Sequence, residues 1–427
     1  MTATEATSEI DSLSDVVTPS RLARGRWFLG GLAALGLLLV SYLVRDGWSW
    51  YWERSFKVEC DSARGQKDWR TLRQAADRWV AWEPETPLGW WYAAEASQNL
   101  NDLEGMARYL GQVPQSDPKL LLAYVEKANL EWTALNQPLD AIQTSALIMK
   151  LDPNVTEVHS RLISFYAMSL QRVSMLKAIR NAMQNHTESR EAFVYFVMAD
   201  LLSFTNGADL NSRWLAASPD ELQFKVGLGV HTAMSLAMNV DATRSEDAVK
   251  LDQEAARQLE FFLKEHPTDP ILLTYLMHRA YQSGDATRVS ELLQKVGAEG
   301  VEDHMIWVYR AWYHSAVNEF GPAEESIREA LRLHPISPLA HHEYANLLRK
   351  MGRIDDAAAE QRLAATGREI RTRLLHVPRA DQVGADVLLP IAKYLKDCGD
   401  QPAYLALEER LRDFGYSTDG SGELPQP

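Results

Sequence analysis

A recurrence of about 34 residues runs through most of this 427-residue chain, and no other feature constrains the fold as strongly. Four segments end alike: WVAWEP (79–84), IMKLDP (148–153), FLKEHP (262–267) and ALRLHP (330–335). Proline stops a helix there, because it lacks a backbone donor and disfavours helical geometry in the residue before it. Two neighbouring stretches, 304–335 and 338–367, align at an offset of 34. The offset places Ala311 over Ala345, Ala323 over Ala357 and Ala330 over Ala364. Asn318 and Gly352 then share the turn between two helices, and Gly284 holds that place 34 residues earlier. Starts near 53, 87, 122, 156, 190, 224, 270, 304, 338 and 385 mark ten units, with long steps only after 224 and 338. Between the starts, apolar residues recur at helical spacing and few stretches alternate as strands do. The expectation is an all-α chain of stacked helix pairs.

The pattern resembles the tetratricopeptide repeat (TPR), a helix–turn–helix unit of 34 residues. Residues that carry the likeness include Trp90, Ala94 and Asn101, then Asn136, Ala141 and Pro153. Trp307, Ala311, Ala323, Ala330 and Pro335 repeat the set further on. The resemblance covers 53–415 and implies an α-solenoid whose first helices line a concave surface holding an extended peptide or a partner protein. In that frame the candidate partner-binding residues are Trp91, Glu95, Glu126, His278, Trp312, His342 and Asn346, with Leu130, Ser160, Ser164, Thr274 and Val308 beside them. Chaperone-type TPR domains clamp a C-terminal carboxylate with Lys and Asn at fixed places. Only Asn346 and Lys350 fall on such places here, so a carboxylate clamp is not expected. The irregular stretches are 190–250 and 368–384. The step after 224 predicts a polar insertion at 239–250, and the step after 338 predicts a long helix over 355–376. Pro390 should kink the last unit's first helix or delay its start.

Residues 27–44, WFLGGLAALGLLLVSYLV, form 18 residues without a charge. As a helix they measure about 27 Å, close to a hydrocarbon core of roughly 30 Å. The bulky VRDGWSWYW that follows is unlike a small-x-small cleavage site, which favours a retained transmembrane helix over a signal peptide. Arg21, Arg24 and Arg26 crowd its N-terminal end, favouring an inside N-terminus and a solenoid on the outer, periplasmic face of the inner membrane. Residues 1–26 are then a disordered cytoplasmic tail, and 416–427 a second disordered tail. Residues 45–52 form an interfacial aromatic belt carried by Trp48, Trp50, Tyr51 and Trp52, since indole and phenol rings favour headgroup depth.

The chain offers little sign of catalysis. Its net charge of −14 repels phosphate backbones, so no nucleic-acid partner is expected. Two cysteines, Cys60 and Cys398, make no C-x-x-C pair and should be free thiols, because an elongated array keeps them apart. Eleven histidines lack an H-E-x-x-H motif, and His341 and His342 point to different helix faces. His186, His266 and His334 end second helices, where an imidazolium suits the helix dipole. No nucleophile elbow, P-loop or dinucleotide fingerprint is present. The expectations are no enzyme activity, no metal and no cofactor. The functional expectation is a membrane-tethered scaffold for protein or peptide partners in envelope protein assembly or complex organisation, with the lipid bilayer as a second partner. The alternative is a membrane-anchored sugar or lipid receptor, because eight of the thirteen tryptophans lie between 48 and 91.

Overall fold

The computed structural model describes residue 48 and residues 50–415, apart from 203, 205, 244, 378, 380–382 and 414. The tails at 1–26 and 416–427, the apolar span at 27–44 and residues 45–47 lie outside the described residues. Among the described residues every regular element is a helix, and none is long and apolar enough to cross a membrane.

The chain divides into two compact units, ending and starting at Asp102 and Leu103. The first holds α1 (50–65), α2 (Trp69–Trp82) and α3 (Pro87–Asn99). The second begins with α4 (Leu103–Leu110) and continues as helix pairs. These are α5 (Leu120–Trp132) with α6 (Pro138–Leu151), and α7 (Thr156–Met168) with α8 (Arg172–Gln184). Then come α9 (Arg190–Val197), α10 (Gly207–Ala217), α11 (Leu222–Thr243) and α12 (Glu246–Glu265). The last four pairs are α13 (Pro270–Ser283) with α14 (Ala286–Leu293), α15 (His304–Ala316) with α16 (Phe320–Leu333), α17 (Pro338–Lys350) with α18 (Ile354–Leu375), and α19 (Ala385–Asp397) with α20 (Gln401–Asp413). First helices thus begin within three residues of the starts marked by the period. The helix-pair geometry is TPR-like.

Eight of the turns between successive helices hold one residue in the left-handed region, which costs a residue with a Cβ roughly 1–2 kcal/mol. Lys67, Asn101, Asn136, Leu170, Gly284, Asn318, Gly352 and Gly399 occupy it. Asn and Gly suit that place, whereas Lys67 and Leu170 take it because the fold requires it. Helix starts are cut by Asp caps, as where Asp269 accepts from the amide of Leu272 and Asp285 from that of Arg288.

Within the first unit an aromatic series runs from Trp48 through Trp52 and Phe56 to Trp79 and Tyr92, with successive ring centroids 5.8–6.4 Å apart. Trp79 is fully buried, whereas Trp69 and Trp90 are half-buried. The Trp52 ring sits half-buried against Phe56, so it belongs to the packing and not to an exposed belt. Trp48, Trp50 and Tyr51 remain about three-fifths exposed.

Several local expectations are corrected. The extra residues near 239–250 form no polar loop; α11 and α12 lengthen to 22 and 20 residues and carry most of them as helix. Of the two outcomes expected at Pro390, the delayed start does not occur: α19 begins at Ala385 with Pro390 inside it. The long α18 matches expectation.

The largest correction concerns the second unit, which is not an open stack. Its fourth and fifth repeats pack back onto its last three. Arg172 at the start of α8 pairs with Asp303, the cap of α15, at 2.6 Å. Further along α8, Arg180 grips Asp400 ahead of α20 through two hydrogen bonds of 2.6 and 2.5 Å. Arg410 on α20 reaches Glu188 at 2.9 Å. Between these clasps α9 is short, and Ala192 to Ala199 are all buried, with Phe196 at 0% exposure. A helix apolar all round must be surrounded on every side, and α9 touches α7, α8, α18 and α19. The fifth repeat is therefore packed between α7 and α8 on one side and α18 and α19 on the other.

Candidate functional site

First helices of consecutive repeats supply the surface that remains. Their N-terminal ends are covered by α8 and the segment after α9. Asp200 accepts from the amide of Leu339 at 3.0 Å, and Arg172 donates to the carbonyl of Ala199 at 2.6 Å. The stretches of α15 and α17 nearer the turns stay open. There α13, α15 and α17 enclose a groove of about 770 Å³ bordered by Tyr281, Trp312, Ser315, His342, Asn346 and Lys350. Tyr281 and Trp312 make an edge-to-face pair with centroids 5.4 Å apart. Tyr281 donates to Glu343 at 2.7 Å, so that buried carboxylate is already satisfied. Asn346 bonds His342 Nε2 at 3.2 Å, and Lys350 donates to the Ser315 carbonyl at 3.0 Å. His342 Nδ1 is buried without a hydrogen-bond partner. The groove combines an aromatic wall, an amide and imidazole pair, and cations of Arg349 and Lys350 at the rim.

Three of the candidate residues, Trp312, His342 and Asn346, thus converge. His278 instead borders a second cavity of about 390 Å³, with Arg172, Lys177, Asp303 and Tyr309. Its Nδ1 lies 3.1 Å from the Tyr309 hydroxyl. Glu126 lies half-buried on α5, away from both. Trp91 and Glu95 belong to the first unit, where Glu95 pairs with Arg64 at 2.8 Å.

Burial, with Arg172 and Arg371 nearby and only Asp200 opposing, pushes the His278 imidazole down to about 4. Its packing neighbours Tyr281 and Tyr309 are neutral phenols raised by burial. A neutral folded imidazole against an unfolded one near 6.5 gives stability that is full above pH 6.5 and lost as pH falls toward 4. The expected loss is about 3 kcal/mol. Urea melts at neutral and mildly acidic pH should show it, and His278→Gln, which can still bond Tyr309, should flatten that slope.

Histidine also takes a structural place that sequence reasoning missed. Trp90 donates to the carbonyl of Pro84, and Trp307 to that of Val301, six residues upstream and both at 2.8 Å. His159 and His341 make the same 2.8 Å contact to Pro153 and Pro335. Imidazole replaces indole at the position that ties a first helix to the preceding loop, and the offset of six is visible in the sequence. His334 departs from the dipole reading: it caps α16 but is buried, and desolvation holds it neutral, well below the usual imidazole range. Cys60 and Cys398 are free thiols, each pushed up to about 12 by burial, so neither is a nucleophile at neutral pH.

No protein-family model matches the chain, and no curated protein matches it. Among solved structures it is similar to the APC/C hetero-tetramer Cut9-Hcn1, with 11% identity over 84% of this chain and 86% of that one, at a TM-score of 0.33. It is also similar to a tetratricopeptide repeat protein from Parabacteroides merdae, with 12% identity over 66% and 92% and a TM-score of 0.24. Yeast Tom70 is similar at 12% identity over 84% and 88%, with a TM-score of 0.26. The TPR-like assignment rests on the chain's own helix pairs and turn residues.

Proposed function

We propose that the chain is a membrane-tethered scaffold that holds a protein or peptide segment in the groove formed by α13, α15 and α17, serving envelope protein assembly or complex organisation. The groove carries the proposal: three consecutive first helices present Tyr281, Trp312, His342 and Asn346 to one open concavity. Aromatic anchors beside a few fixed polar groups are what peptide grooves use for affinity and orientation. The closed half of the concave face limits the ligand to a short segment. The tether is supported by the uncharged stretch at 27–44 and by the exposed Trp48, Trp50 and Tyr51 where α1 begins. In this reading the N-terminus is inside and the solenoid periplasmic.

Peptide-display selection on the full chain in detergent tests the groove. Selected peptides should lose roughly 30-fold or more in affinity with Trp312→Ala, as expected for an aromatic hot spot, while Trp82→Ala leaves binding unchanged. Equal binding by wild type and Trp312→Ala would place the ligand elsewhere. The same chain in intact spheroplasts should lose its C-terminal tail to added protease; a protected tail would reverse the orientation.

A further inference from the structure

Where the fifth repeat meets the eighth, three side chains that the scaffold reading does not use come together. Asp200 follows α9, His304 is the first residue of α15, and His334 caps α16. All three are buried, at 6%, 1% and 1% exposure. Asp200 Oδ1 lies 2.9 Å from His304 Nε2, and the two imidazole centroids are 4.6 Å apart. One ligand atom from each residue falls within 4.8 Å of the others. A tetrahedral ion with bonds of about 2 Å needs its ligand atoms roughly 3.3 Å apart, so small side-chain rotations would close the set.

Protein–protein hydrogen bonds leave this cluster unsatisfied. Both ring nitrogens of His334 and Nδ1 of His304 are buried without a partner. Each orphaned polar atom costs about 1–3 kcal/mol, and native interiors seldom leave three together. Phe196 closes one side of His334 edge-on at 5.0 Å, so the ring cannot turn to solvent. The second oxygen of Asp200 is held by the Leu339 amide, which orients the carboxylate as an outer-shell partner orients a ligand.

We propose that Asp200, His304 and His334 bind one divalent transition-metal ion, zinc by the character of the donors, which staples the segment after α9 to α15 and α16. Two imidazoles and a carboxylate suit zinc, with water in the fourth place. Asp200 also borders the 390 Å³ cavity, which gives an ion its route and a source for that water. Such an ion would give one buried nitrogen of His334 a partner and add a charge to balance Asp200. It would lock the closed form of the second unit and take no part in peptide contact.

The test uses the full chain without an affinity histidine tag, in detergent, stripped by chelator and titrated with cobalt(II) as a spectroscopic probe. One equivalent should develop visible ligand-field absorption, zinc should bleach it, and zinc should raise the melting temperature. His334→Gln and Asp200→Asn should each weaken cobalt binding roughly 100-fold or more. If a variant fails to fold, the wild-type titration alone decides. A folded wild-type chain that gives no stoichiometric cobalt spectrum and no zinc-dependent melting shift would overturn the proposal, as would unchanged binding in both variants.

Discussion

Arg172→Ala is expected to destabilise the protein by about 3–5 kcal/mol, the range for breaking a buried ion pair from one side. The Arg172 and Asp303 side chains keep only 10% and 5% exposure. Asp303 is left as a largely buried carboxylate without its cation when Arg172 is removed, and it must still cap α15 through the Met305 amide at 2.9 Å. Arg172 also ties down the Ala199 carbonyl, so its loss frees the segment after α9. Urea melts give the magnitude, and amide hydrogen exchange should show protection falling first in α9 and α15. Pairing Arg172→Met with Asp303→Asn should recover part of the loss, since no buried charge is then stranded while the cap survives. A change below about 1 kcal/mol for Arg172→Ala would mean that the pair is solvated, contrary to the closed form.

Phe196→Ala should cost about 3–5 kcal/mol, as truncation of a fully buried aromatic does. Its ring is closed between His334 and the Arg180 guanidinium, which stands 4.6 Å above it. The cavity left behind has rigid walls: α8 is clasped by Asp400, and α16 is capped at His334. Phe196→Leu, which keeps most of the volume, should cost about 1.5 kcal/mol or less. Because Phe196 and Arg172 hold the same segment, the double variant should lose less than the sum. Thermal melts of the wild type and the four variants check both statements.

The repeat was legible because it is local. Each pair buries its stripe against its neighbours, so the spacing of Ala311, Ala323 and Ala330 and the turn residues Asn318 and Gly352 report contacts within a few tens of residues. Lys67 and Leu170 escaped notice as turn residues because neither type favours positive φ, yet both keep the interval. The fold-back left no periodic trace. Arg172 meets Asp303, and Arg180 meets Asp400, across 131 and 220 residues, where one sequence carries no pairing information. One signal was available: AFVYFVMA (192–199) is apolar on every face, which a half-exposed solenoid helix does not allow.

The site divides the same way. Trp312, His342 and Asn346 were reachable by counting along first helices, because neighbouring repeats present equivalent positions side by side. His278 holds the same repeat position as Trp312 and Asn346, but it borders the cavity that α8 closes with Arg172. His304 and His334 meet within one helix pair, but Asp200 joins them only through the fold-back, so the cluster was hidden with it. Trp52 looked like its neighbours in WSWYW, and only the helical phase of α1 turns it inward to Phe56.

The closed second unit is the claim on which the groove and the metal site both depend. Lys177 and Glu302 test it directly, since they are exposed, 125 residues apart in sequence, and paired at 2.6 Å. A carbodiimide joins an amine to a carboxylate only where the two touch. Peptide mapping of the treated full chain should find a Lys177–Glu302 isopeptide bond at a yield matching the local Lys250–Asp247 pair. A chain that yields the local link without the Lys177–Glu302 link has an open second unit, and would contradict the account.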